Sequence, residues 1–138
     1  MVKKIILDTD PGIDDVMAIL FAEAHEEIEL KAITTIYGNV TIADATHNAL
    51  YLKQKYRLKA DVAEGASKPI VRPPVGPTVV VHGESGFGDV PVPAEVEGKA
   101  DPRPAYQYII DAVTAEPNEI TLVAIGPLTN LALALQAE

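Results

Sequence analysis

The chain has 138 residues and a formal net charge of −9, and hydrophobic residues make up 48 % of it. That length suits one domain with a modest core, the apolar content excludes a disordered chain, and the negative charge disfavours binding to a nucleic-acid backbone. There is no cysteine, which excludes disulfides and thiolate metal sites.

Strand and helix signals alternate along the chain. The first strand is predicted over Lys3–Leu7, and the first helix over Ile13–Ala24 with Val16, Ile19, Leu20 and Ala24 on its apolar side. A β-branched run marks a second strand at Glu29–Ile36. The second helix, Ile42–Tyr56, presents Ala45, Ala49 and Leu52 to the sheet. A short third strand follows at Asp61–Ala63, then a third helix at Pro104–Ala115, a fourth strand at Glu119–Ile125 and a fourth helix from Pro127, a favoured first helical position. This rhythm predicts an α/β fold, a parallel sheet with helices on both faces.

Two features interrupt it. The segment 66–101 holds six of the eleven prolines, and three of the nine glycines fall at Gly83, Gly86 and Gly88. A connection that long inside one domain is expected to be a functional loop. Val79-Val80-Val81 is read as a short extended piece within it, and the stretch His82–Asp89 as a mobile lid with few apolar anchors. Leu128, Leu131, Ala132 and Leu135 are still in helical register where the sequence stops at Glu138, so residues 1–138 are expected to form the front part of a longer domain. The N-terminal apolar run Ile5-Ile6-Leu7 is too short for a signal-peptide core, and no stretch approaches transmembrane length. The expected location is the cytoplasm, with no membrane partner. A fourth strand at the sheet edge, with Leu122 and Ile125 on it and Leu128, Leu131, Leu133 and Leu135 on the following helix, predicts a homo-oligomer through that face.

The segment Asp8-Thr9-Asp10-Pro11-Gly12-Ile13-Asp14-Asp15 carries the most chemistry. Asp8 and Asp10 close the first strand, Pro11 and Gly12 make the turn, and Asp14 and Asp15 fall in the first turn of the helix. An acid there gains roughly 0.3–1 kcal/mol from the helix dipole. Two carboxylates about 5 Å apart repel by about 3 kcal/mol at an effective dielectric near 20. If Asp10, Asp14 and Asp15 converge, a cation or a proton must offset that repulsion; if they splay into solvent, capping is their whole role.

Four segments together resemble the inosine–uridine type nucleoside hydrolases: the acidic segment above, Thr34-Thr35-Ile36-Tyr37-Gly38-Asn39-Val40, His82-Gly83-Glu84-Ser85-Gly86, and Ala124-Ile125-Gly126-Pro127-Leu128-Thr129-Asn130. The resemblance covers this chain but about the first half of a family member. It implies a Rossmann-like nucleoside hydrolase fold and calcium-dependent hydrolysis of the N-glycosidic bond of ribonucleosides. It implies that Asp10 and Asp15 are calcium ligands together with the Ile125 carbonyl, and that Asp10 is also the base that activates water. Asp14 would bind a ribose hydroxyl, Asn39 would hydrogen-bond in the ribose and water region, and His82 would lie near the nucleobase. Asp8 would orient rather than ligate. The family's remaining ligands belong to its C-terminal half, so weak activity or none is expected from these residues alone.

Other readings stay open at this point. Gly83-Glu84-Ser85-Gly86-Phe87 nearly fits a nucleophile elbow but has Phe87 in place of the last glycine. Asp8 and Asp10 fit the start of a haloacid-dehalogenase-like phosphatase, although Gly12 stands where that pattern wants Thr or Val. A non-catalytic ribose-binding fragment is a further alternative. Asn39 after Gly38 also suits a plain turn, Thr129 and Asn130 suit helix-start hydrogen bonding, and His25 and His47 read as exposed helix residues.

Overall fold

The computed structural model describes residues 1–138. Nine elements follow in chain order: β1 Lys3–Thr9, α1 Ile13–Ala24, β2 Ile28–Thr35, α2 Ile42–Tyr56, β3 Asp61–Ala63, α3 Val79–His82, α4 Ala105–Ala115, β4 Ile120–Ala124 and α5 Thr129–Ala137. The four strands form one parallel sheet in the order β3-β2-β1-β4. Because β1 lies between β2 and β4, the chain reverses its direction of growth across the sheet at β1. The turns leaving β1 and β4 therefore open side by side, where ligands bind in open parallel sheets.

Helices cover both faces. On one, α1 and α2 pack Ile19, Ala22, Ala49 and Leu52 against Ile5, Leu7, Leu30 and Ile33. On the other, α4 and α5 pack Ala105, Tyr108, Ile109 and Ala134 against Ile6 and Ala32. Strict alternation along β2 would put Leu30 and Ile33 on opposite faces. They share a face because the register with β1 shifts between Ile5 and Ile6, so that Lys31 is an extra residue opposite the β1 strand. Its ammonium instead sits 3.5 Å from both Glu29 and Glu116.

Four expectations need correction. In α1 it is Ala22 that is buried, whereas Ala24 is exposed; the inward stripe is Asp15, Ile19 and Ala22, because the carboxylate of Asp15 takes a place in the interior. The fourth helix starts at Thr129 rather than Pro127. Val79-Val80-Val81 is not extended: the N–H groups of Val81 and His82 both donate to the Thr78 carbonyl, and a single helical turn forms. The segment His82–Asp89 is also better anchored than its glycines suggest. Phe87 is 7 % exposed and belongs to the α1/α2 core, with its ring 6.3 Å from that of Tyr51. Farther along the loop, His47 Nε2 lies 2.7 Å from the Pro93 carbonyl. No helix is long and apolar enough to cross a membrane.

The bulge makes a specific prediction. Deleting Lys31 should leave every core side chain of β2 on its present face and lower the melting temperature by only a few degrees. Deleting Ala32 should force Lys31 or Ile33 onto the wrong face and cost about 3 kcal/mol or more. Thermal unfolding of the two deletion variants decides this; equal losses would contradict the register.

Candidate functional site

The apolar run Ile5-Ile6-Leu7 of β1 leads into three buried polar residues, the last two of the strand and Asp10 just after it. Asp8, Thr9 and Asp10 are 1 %, 0 % and 5 % exposed. Their environment comes from both neighbouring strands. The Ile36 N–H donates to the Thr9 carbonyl at 3.1 Å, and the Ile125 N–H donates to the Asp8 carbonyl at 2.9 Å. The β1, β2 and β4 turns thus converge on the Asp10 carboxylate.

Asp10 is held on one side only. Its Oδ2 accepts the Asn39 backbone N–H at 2.6 Å. Glycines face both oxygens: a Cβ at Gly38 would stand 2.0 Å from Oδ2, and one at Gly126 would stand 2.8 Å from Oδ1. Only residues without a side chain allow this approach. Burial pushes the Asp10 carboxyl up to about 6, and the nearby Asp15 charge adds to the rise; the Asn39 N–H works against it. Asp10 lines a cavity of about 570 Å³ together with Tyr37, Asn39, Arg72, Thr78 and Pro127.

Asp15 is buried behind it, at 4 % exposure. Its Oδ1 accepts the Thr9 hydroxyl at 2.5 Å, and its Oδ2 accepts the Gly12 N–H at 3.0 Å and the Asn39 Nδ2 at 2.9 Å. The Gly12 contact is a helix-capping one. The same Asn39 Nδ2 donates to the Asp10 carbonyl at 3.2 Å. Asn39 therefore joins the two acidic residues through three donated bonds.

Asp14 does not converge with them. Its side chain is 86 % exposed, with Oδ1 3.9 Å from His82 Nδ1. His82 is buried, and its Nδ1 accepts the Ile13 N–H at 3.2 Å, so it caps the start of α1. Neither residue lines the Asp10 cavity, and neither do Asp15 and Ile125. Of the six residues singled out from the sequence, Asp10 and Asn39 meet in the cavity and Asp15 supports them from behind. Ile125 follows β4 beside them, and Asp14 and His82 form a separate pair at the α1 N-terminus. No backbone N–H donates to the Ile125 carbonyl.

Further buried polar residues support the site; Asp8, Thr34 and Asn130 lie in the segments that carry the resemblance, whereas Asn48 had no sequence signal beyond its polarity. Asn130 is fully buried. Its Nδ2 donates to Asp8 Oδ2 at 2.8 Å and to the Thr35 carbonyl at 2.9 Å, and its Oδ1 accepts the Ala66 N–H at 2.9 Å. Thr34 donates to the same Asp8 oxygen at 2.7 Å. Asp8 Oδ1 is buried with no partner, and burial raises the Asp8 carboxyl above its ordinary value. Asn48 Nδ2 donates to the Pro11 carbonyl at 3.1 Å and the Ser85 carbonyl at 2.7 Å, tying the acidic turn to the segment after His82.

The family model for inosine-uridine preferring nucleoside hydrolase matches residues 5–138. The inosine-uridine preferring nucleoside hydrolase of Crithidia fasciculata is 49 % identical over 140 residues, covering 100 % of this chain and 44 % of that protein. Uridine nucleosidase 1 of Arabidopsis thaliana is 43 % identical over 137 residues, covering 99 % of this chain and 40 % of the relative. Among solved structures, a purine-preferring ribonucleoside hydrolase from Gardnerella vaginalis superposes with a TM-score of 0.91 at 35 % identity, over 98 % of this chain and 44 % of that one. A plant nucleoside hydrolase superposes with a TM-score of 0.89 at 42 % identity, again over 44 % of its length. The chain thus spans less than half the length of these relatives.

The buried charge has a pH signature. Asp10 titrates higher in the folded chain than the ordinary carboxylate value near 4 of an unfolded one. Ionised Asp10 therefore opposes folding. Its penalty is absent below about pH 4, grows as pH rises through about 6 and is complete above that. With a chelator present, Asp10→Asn should be more stable than wild type at pH 8, and the gap should close as pH falls to about 4. Denaturant unfolding at a series of pH values measures this; a gap independent of pH would contradict the buried, uncompensated carboxylate.

Proposed function

The chain belongs to the inosine-uridine preferring nucleoside hydrolase family, and we propose that its Asp10 pocket takes part in hydrolysing the N-glycosidic bond of a ribonucleoside such as inosine or uridine. The observation that carries this reading is the state of Asp10. It is a buried carboxylate with one oxygen fixed by Asn39 and a 570 Å³ cavity in front of it. A carboxylate with one oxygen fixed and a cavity in front of it is positioned to take a proton from water. In the proposed reaction the water oxygen bonds to C1′ of the ribose as Asp10 accepts its proton. The electron pair of the C1′–N bond passes to the base nitrogen, which then gains a proton from solvent. The reaction passes through an oxocarbenium-like state, which the negative charge of Asp10 and Asp15 stabilises. Asn39 keeps the Asp10 oxygen aimed; a ribose hydroxyl at Asp14 and a base near His82 would require a substrate that reaches from the Asp10 cavity to that pair at the α1 N-terminus.

Calcium is the cofactor this reading implies. Asp10, Asp15 and the Ile125 carbonyl would hold it, and their chemistry fits: carboxylate and carbonyl oxygens without sulfur suit a hard cation. Neither Asp10 nor Asp15 is paired with a lysine or arginine, so their charge is uncompensated within the chain. Asp15 accepts three hydrogen bonds and keeps one of a carboxylate's roughly four acceptor positions. No three acidic or imidazole side chains converge, so water, substrate hydroxyls or further protein ligands would complete the shell. When bound, the cation lowers the pKa of a coordinated water.

The family assignment displaces the phosphatase alternative. A second reading is a ribose-binding unit without turnover, since Asp10 and Asn39 meet in one cavity while no three acidic or imidazole side chains converge. Reducing-sugar release from inosine with calcium present tests the first reading. Slow release is expected, lost in Asp10→Ala. Calcium-dependent ribose binding without any release would leave the second reading standing, and neither binding nor release would overturn both.

We propose also that the chain self-associates. β4 is the sheet edge, and beside it Ile109, Leu122, Leu131 and Leu135 line an apolar groove of about 180 Å³. Leu128 and Leu135 are 60 % and 81 % exposed. Such surface favours association, and the −9 charge opposing it is screened beyond roughly 8 Å at physiological salt. Light scattering at moderate salt should report a dimer or larger assembly that Leu135→Glu weakens; a monomer at high concentration would contradict this.

A further inference from the structure

One cationic side chain lies in the wall of the Asp10 cavity, that of Arg72. The segment carrying it arches from residue 66 to residue 78 and is pinned at both ends to the residues that frame the site. The Tyr37 N–H donates to the Ala66 carbonyl at 3.2 Å, and the Thr78 N–H donates to the Asn39 carbonyl at 3.1 Å. Ala66 is held a second time, by Asn130. Arg72 stands midway between these anchors. Pro73 and Pro74 follow it, which fixes the chain beyond it and keeps Arg72 itself extended. Its guanidinium has no ion pair or hydrogen bond with the protein. The contrast is Arg103, which Asp101 and Asp111 hold at 2.8 and 2.9 Å. Arg72 is thus a free, always charged donor fork on a constrained arch, in the wall of the cavity that Asp10 also lines.

We propose that Arg72 reads the carbonyl edge of the nucleobase and so selects oxo-bases over amino-bases; this rests on the ribonucleoside reading of the Asp10 pocket. Hypoxanthine offers two adjacent acceptors, O6 and N7, and uracil offers O4, and both match a guanidinium. Adenine and cytosine place an amino donor at the equivalent position, where it meets the Arg72 N–H groups unfavourably. A phosphate is the other ligand a guanidinium favours. The base edge is preferred here because the Asp10 pocket is read as a ribonucleoside site; the monophosphate arm of the test distinguishes a phosphate. The same contact serves bond cleavage. The electron pair leaving C1′ raises the negative charge on the base, and a hydrogen bond to its oxygen strengthens as it does so.

The test is calorimetric titration of the full chain, with calcium present, using ribose, inosine, adenosine and inosine 5′-monophosphate. Wild type should bind inosine more tightly than adenosine. Arg72→Ala should weaken inosine by about tenfold, the size of one good bidentate contact, remove most of the preference over adenosine and leave ribose unchanged. Arg72→Lys should recover part of the loss. Circular dichroism should show both variants folded, since Arg72 is exposed and unpaired. Unchanged inosine affinity in Arg72→Ala, an equal loss for ribose, or a loss confined to the monophosphate would each overturn the assignment while leaving the pocket reading in place. Wild type that binds neither ribose nor inosine would overturn both.

Discussion

Asn39 holds together two carboxylates that would otherwise repel. Its backbone N–H fixes one oxygen of Asp10, and its amide nitrogen donates to Asp15 and to the Asp10 carbonyl. The Asp15 charge raises the Asp10 carboxyl, so the two do repel. Charge-assisted hydrogen bonds are the stronger kind, worth about 1.5–3 kcal/mol each. The clamp opposes that repulsion, yet burial leaves Asp10 raised to about 6.

The clamp needs a rigid base, and the polar layer beneath it provides one. Asp8, Thr34, Thr35 and Asn130 come from β1, β2 and α5, and all are fully buried or nearly so. Asn130 satisfies an acid, a carbonyl and an N–H at once. Replacing it by an apolar residue would leave several of these groups unpaired, the costly case for buried polar atoms. This layer joins the sheet end, the start of α5 and the start of the long loop into one unit. The arch that carries Arg72 thereby has a fixed footing on the same residues that hold Asp10.

Part of the long loop packs as a second wall of the site. Phe87 joins the α1/α2 core, Asn48 holds the Ser85 carbonyl, and His82 accepts the first N–H of α1. Its glycines serve close approach as well as turning: a Cβ on Gly86 would stand 2.7 Å from Val40. Reading glycine content as mobility overlooks this use. What a loop does depends on what its few apolar residues reach, and Phe87 reaches the core.

The sequence by itself determined the alternation of strands and helices, most element boundaries to within two residues, and the acidic turn after β1. Hydrophobic period and turn chemistry are local, so these features are legible one window at a time. It also carried the family resemblance through four short segments. What only the tertiary structure decided is which acids meet. Asp14 and Asp15 are neighbours on one helix turn, yet one is buried with three donors and the other is exposed. The difference comes from Asn39, 24 residues away, just as the fate of Asp8 depends on Asn130, 122 residues away. The extra residue at Lys31 and the helical turn at Val79–His82 have the same origin. Each is set by pairing across the sheet or by contacts with distant residues, and no local pattern encodes a partner that only folding brings near.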